Sequence, residues 1–109
     1  MKLLIAIVQD EDASRLVNAL TDEGFSITKL ATTGGFLRSG NTTLIMGVED
    51  DMVSKAFTII EGICKTRKQI ISAQPPIVGV PGAYTAFPME VSVGGATVFV
   101  LEVDQFKKF

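Results

Sequence analysis

Residues 33–43, TGGFLRSGNTT, gather more chemically useful groups than any other stretch of the chain. Gly34, Gly35 and Gly40 expose backbone amides to close approach, Phe36 and Leu37 offer an apolar pair, Arg38 brings a fixed positive charge, and Asn41 presents both a donor and an acceptor. A flat, anionic guest would use all of these: a base stacks on the phenyl and leucyl groups, an amide reads its edge, and a guanidinium meets a phosphate. Residues 35–42, GFLRSGNT, also approach the phosphate-loop pattern G-x-x-x-x-G-K-[ST]. Asn41 stands where that loop needs its lysine, and TTLIMGV continues as a strand rather than a helix, so an NTP-hydrolysing loop is excluded. The plain alternative is a connection between strands. It accounts for the glycines, Ser39 and Asn41 but leaves an apolar pair unexplained at a loop tip.

Other chemistry is scarce. The chain has no histidine, which removes Ser-His-Asp and Cys-His catalysis and the commonest metal ligand. Its one cysteine, Cys64, cannot form an intrachain disulfide and falls in an apolar helical pattern, so it reads as a core thiol. Asp10, Glu11 and Asp12 stand where acids ordinarily begin a helix, and no acid/base pair emerges from them. The chain is expected to carry no catalytic residue, no metal and no cofactor.

The elements that must position residues 33–43 follow from hydrophobic periodicity. Leu3 to Val8 is a continuous apolar run, the pattern of a strand covered on both faces. DEDASRLVNALTDEG places Ala13, Leu16, Val17 and Leu20 on one helical stripe, with acids at its start and Gly24 at its end. FSITKLATT alternates as a strand, with Phe25, Ile27 and Ala31 opposed to Ser26, Thr28 and Leu30. TTLIMGV is a second apolar strand, and EDDMVSKAFTIIEGICK a second amphipathic helix. QIISAQ suggests a short strand. Residues 75–88, PPIVGVPGAYTAFP, carry all four prolines and read as a long loop. MEVSV and ATVFVLEV flank Gly94 and Gly95, which predicts a C-terminal hairpin.

One α+β domain over residues 1–109 results: a ferredoxin-like βαββαβ sandwich with an extra C-terminal hairpin. Two helices cover only one face of such a sheet, yet both central runs are apolar throughout. Hydrophobic residues make up 47% and charged residues 20%, a surplus of apolar surface that neighbouring copies would bury. The net charge of -2 and an isoelectric point near 5.0 argue against nucleic-acid partners. The apolar start is too short to insert in a membrane, so a cytoplasmic location is expected.

KLATTGGFLRSGNTTLIMGVED and MEVSVGGATVFVLEVDQFKKF together resemble the cyclic-di-AMP receptor proteins of the PII-like family from Gram-positive bacteria, and the resemblance runs from Met1 to Phe109. It implies a PII-like homotrimer that binds cyclic di-AMP in clefts between subunits, regulates a partner protein and catalyses nothing. It puts Thr28 and Asn41 in hydrogen bonds to adenine, with Phe36 and Leu37 packed on the base. Gly35, Gly40 and Gly47 would give backbone room and amides, although ordinary turn or strand structure also accounts for them. Ser26 departs from the family pattern, in which arginine is common, and is too short to replace that contact. Lower affinity, or compensation by Arg38 and Lys108, follows. The alternative is a PII-type sensor of another nucleotide such as ATP, which would need a longer loop after the second strand and a basic triphosphate site.

Overall fold

The computed structural model describes residues 1–31, 40–73 and 87–109. The apolar run at the start becomes β1 (Lys2–Gln9), followed by α1 (Asp10–Asp22), β2 (Thr28–Ala31) and β3 (Asn41–Val48). A 3-10 turn over Asp50–Met52 leads into α2 (Val53–Cys64), and then come β4 (Arg67–Ala73), β5 (Phe87–Val93) and β6 (Ala96–Glu102). The main sheet has the order β2-β3-β1-β6, and all of its neighbours are antiparallel. With two helices packed on it, this mixed α+β arrangement is consistent with the ferredoxin-like fold.

The helices cover one face. Leu4, Ala6 and Val8 of β1 and Leu44, Met46 and Val48 of β3 are buried, and they form one cluster with Ala13, Leu16 and Leu20 of α1 and Ala56, Ile60 and Cys64 of α2. The spacing of the helix residues is the three-and-four spacing that puts them on one stripe, which is why α1 and α2 form where they do. Full burial of each leucine or valine there contributes about 1.5 to 3 kcal/mol, before the entropy of ordering is set against it. Alternate residues of the same strands point the other way. Leu3, Ile5 and Ile7 are only half-buried, as is Ile45. The continuous apolar run in β1 is therefore covered by the described residues on one side alone.

The expected C-terminal hairpin is corrected. Gly94 and Gly95 do take positive φ, +84° and +98°, but the strands on either side do not pair with each other. β5 pairs with β4 in a separate two-stranded ribbon, and β6 pairs with β1. The glycine amides explain the difference, because they are spent elsewhere. Gly94 donates to Gln9 Oε1 at 2.8 Å, and Gly95 donates to the Cys64 carbonyl at the end of α2. The turn anchors the ribbon to the sheet and closes no hairpin of its own. The short strand expected in QIISAQ is the seven-residue β4. Most of the long loop expected over residues 75–88 lies outside the described residues.

Candidate functional site

The register fixes where the candidate residues stand. Across the bare face one row runs Thr28, Ile45, Ile5, Phe99, and the next runs Leu30, Thr43, Ile7, Thr97. Gly47 pairs with Leu3, which pairs with Leu101, and at the opposite end Asn41 pairs with Gln9. Leu30 is 45% exposed, Phe99 53% and Leu101 45%, so this face presents a broad apolar patch bordered by polar groups. Contiguous apolar surface of this kind marks a contact with a ligand or another protein.

Thr28, Asn41 and Gly47 all lie on this face, and Thr28 and Asn41 are exposed. Ser26 precedes β2 and is exposed. Gly35, Phe36, Leu37 and Arg38 lie outside the described residues. Asn41 and Gly47 are six residues apart along β3, roughly 20 Å at strand rise. One base cannot touch both within a single chain.

Gly40 and Gly47 are glycines for different reasons. At Gly40, whose carbonyl accepts the Asp10 N–H at 3.1 Å, an added Cβ would fall 2.1 Å from Asp10 Oδ2. Close approach of the loop end to the start of α1 accounts for it. Thr42 ties the same corner by donating from Oγ1 to Asp10 Oδ1 at 2.5 Å. At Gly47 the nearest atom to an added Cβ is Met1 Sδ at 3.7 Å, an ordinary contact. Glycine in a central strand costs about 0.5 to 1 kcal/mol relative to alanine. The described residues give no steric reason for that cost.

Sequence reading passed over Asp12 and Gln9. Asp12, taken as an ordinary acid at a helix start, is fully buried, and its carboxylate accepts from Arg15 Nη2 and Arg67 Nη2, each at 2.8 Å. The arginine three places after a cysteine-terminated helix carries no signal of that pairing. Gln9 ends β1 beside Asn41, and only the strand register reveals it.

A groove of about 510 Å³ lies on the helix side between α2 and β6, lined in part by Phe57, Ile60, Glu61, Lys65 and Val98. None of the described candidate residues lines it. Glu61 and Lys65 give that groove charges of both signs. Among the described residues no cluster of acids and cysteine is placed to hold a metal ion, and no helix is long and apolar enough to cross a membrane.

Residues 1–109 match a family model described as cyclic-di-AMP receptor. A solved structure described as a functionally unknown protein from Pediococcus pentosaceus ATCC 25745 is similar to this chain at 45% identity and a TM-score of 0.78, covering 99% of this chain and 96% of that one.

Proposed function

As the chain belongs to the cyclic-di-AMP receptor family over its whole length, we propose that it works as a non-catalytic cytoplasmic homotrimer, binds the dinucleotide in clefts between copies and thereby regulates a partner protein. Family membership supports the ligand. The observation that carries the assembly is the sheet face left bare by both helices, on which Thr28, Asn41 and Gly47 all stand. Copies packed on that face would bury Ile5, Ile45, Phe99 and Leu101. They would also bring the Asn41 end of one chain near the Gly47 end of another, which removes the difficulty of their separation.

In this reading Phe36 and Leu37 pack on an adenine, and Thr28 and Asn41 read its polar edge. The carboxylate of Asp10, bonded to Thr42 beside Gly40, would repel a phosphate at the Asn41 end, so the base belongs there. Arg38 and the amide of Gly35 are left to meet the phosphates from the loop side, and Gly40 gives the base backbone room. Gly47 keeps the sheet surface open for the guest, and Ser26 borders it with a short hydroxyl. Stacking plus a few charge-assisted hydrogen bonds supports micromolar or tighter binding, about 8 kcal/mol. The output is a shift in loop populations, with no bond made or broken.

Titration calorimetry with cyclic di-AMP, cyclic di-GMP and ATP, combined with solution mass measurement, tests the reading. Heat with cyclic di-AMP and a mass of three chains are expected. A single chain at working concentration, or heat only with ATP, would overturn it.

A further inference from the structure

The β4–β5 ribbon packs mainly on itself, and its two strands are rooted at one place. β4 begins at Arg67, whose guanidinium is held by the buried Asp12 carboxylate of α1. β5 ends at Val93, and the next amide, Gly94 N–H, is held by Gln9 Oε1 at 2.8 Å. The root is tight. A Cβ on Gly94 would lie 2.7 Å from Arg67 Nη1, 2.8 Å from the Lys65 carbonyl oxygen and 2.9 Å from that of Cys64. Gln9 is also the cross-strand partner of Asn41. A single side chain thus joins the sheet end that carries a candidate base contact to the turn that sets the ribbon.

We propose that Gln9 is a positioning residue that couples ligand occupancy at Asn41 to the order of the β4–β5 ribbon. The inference rests on the reading above, that cyclic di-AMP engages Asn41. A ligand that fixes the first residue of β3 restrains the paired end of β1, and with it the carboxamide that holds Gly94. The Gln9–Gly94 bond then opens less often, and the ribbon root spends more time in one arrangement. Arg67 and Asp12 hold the other strand of the root in place, so a change at Gly94 is felt as a change in how the two strands leave the sheet.

Amide hydrogen exchange of the full chain, with and without saturating cyclic di-AMP, tests this on the parent and on Gln9→Met and Gln9→Glu. Methionine is nearly isosteric and removes the amide acceptor; glutamate keeps a carboxyl acceptor. In the parent, ligand should slow exchange at Gly94, Gly95 and along β5 by about tenfold, the sign of a root that opens less often. Gln9→Met should bind within about threefold of the parent yet show no ligand-dependent slowing in the ribbon, and Gln9→Glu should restore it. A purely structural role for Gln9 would lower the melting temperature without removing the ligand response. If Gln9→Met fails to fold, the parent and Gln9→Glu decide: a ribbon that exchanges equally with and without bound ligand overturns the proposal. A ribbon in Gln9→Met that slows as in the parent overturns it too. Binding with an unresponsive ribbon removes this inference alone, whereas absence of binding in the parent removes the functional reading along with it.

Discussion

Arg67 closes on Asp12 across 55 residues of chain, with Nη2 2.8 Å from Oδ1 and Nη1 3.4 Å from Oδ2. The pair joins the first turn of α1 to the first residue of β4, and Arg15 adds a second donor at 2.8 Å from the same Oδ1. The Arg67 hydrogen bond holds the Asp12 carboxyl below the usual carboxylate range, against burial, which pushes it up. The same bond raises the Arg67 guanidinium above its ordinary value.

A depressed carboxyl stabilises the fold above its unfolded value of about 3.9 and loses that contribution as pH falls through the folded value. The parent should therefore lose melting temperature steeply below about pH 4. Asp12→Asn should cost about 3 kcal/mol at neutral pH, the low end for a broken buried pair because Arg67 is partly exposed, and should flatten the acid limb. Melting curves from pH 2 to 7 on both proteins check it. Parallel curves would show that Asp12 contributes nothing of this kind.

Much of the frame was legible in the sequence, because local periodicity records which side of an element meets the core. Leu16 and Leu20 on α1, Ile60 and Cys64 on α2, and the unbroken apolar runs of β1 and β3 all appear in the order of residues. Pairing between distant strands does not. Gly94 and Gly95 announce a turn, yet the partners of β5 and β6 depend on which sheet edges are free and on where two glycine amides find acceptors. Residue types singled out the stretch around Asn41 as the candidate site, whereas Thr28 and Gly47, which stand on the same face as Asn41, came from the family resemblance alone. The long reach from Arg67 to Asp12 was hidden, since each residue alone suits an exposed position.

Asn41→Ala should weaken cyclic-di-AMP binding by about 1 to 3 kcal/mol, or roughly 5- to 150-fold, the worth of a polar contact to a buried base edge. Its exposed place at the start of β3 predicts little change in melting temperature. Calorimetric titration of the variant decides, and affinity equal to the parent would reduce Asn41 to an ordinary strand-end residue.

Cys64 should resist modification in the folded protein. Its thiol is fully buried and pushed up to about 11, first by burial and then by the charge of Asp12. At pH 8 roughly one thiol in a thousand would be ionised even if reagent could reach it. A disulfide reagent should take hours on the native chain and minutes or less in denaturant. Rapid reaction without denaturant would mean that α2 opens readily.

Gly47→Ala separates a demand of the fold from a demand of the guest. Nothing described within the chain lies closer than 3.7 Å to the new methyl group. The substitution removes the entropic cost of a glycine in a strand, so stability should hold or rise by up to about 1 kcal/mol. A dinucleotide or a second copy that approaches the open sheet surface closely meets the methyl directly. The expected result is a melting temperature at or above the parent's, with cyclic-di-AMP affinity reduced about tenfold, the cost of about 1.4 kcal/mol for one badly placed group. Unchanged affinity, measured on the assembled protein, would leave Gly47 without a part in recognition and would move the guest away from this end of β3.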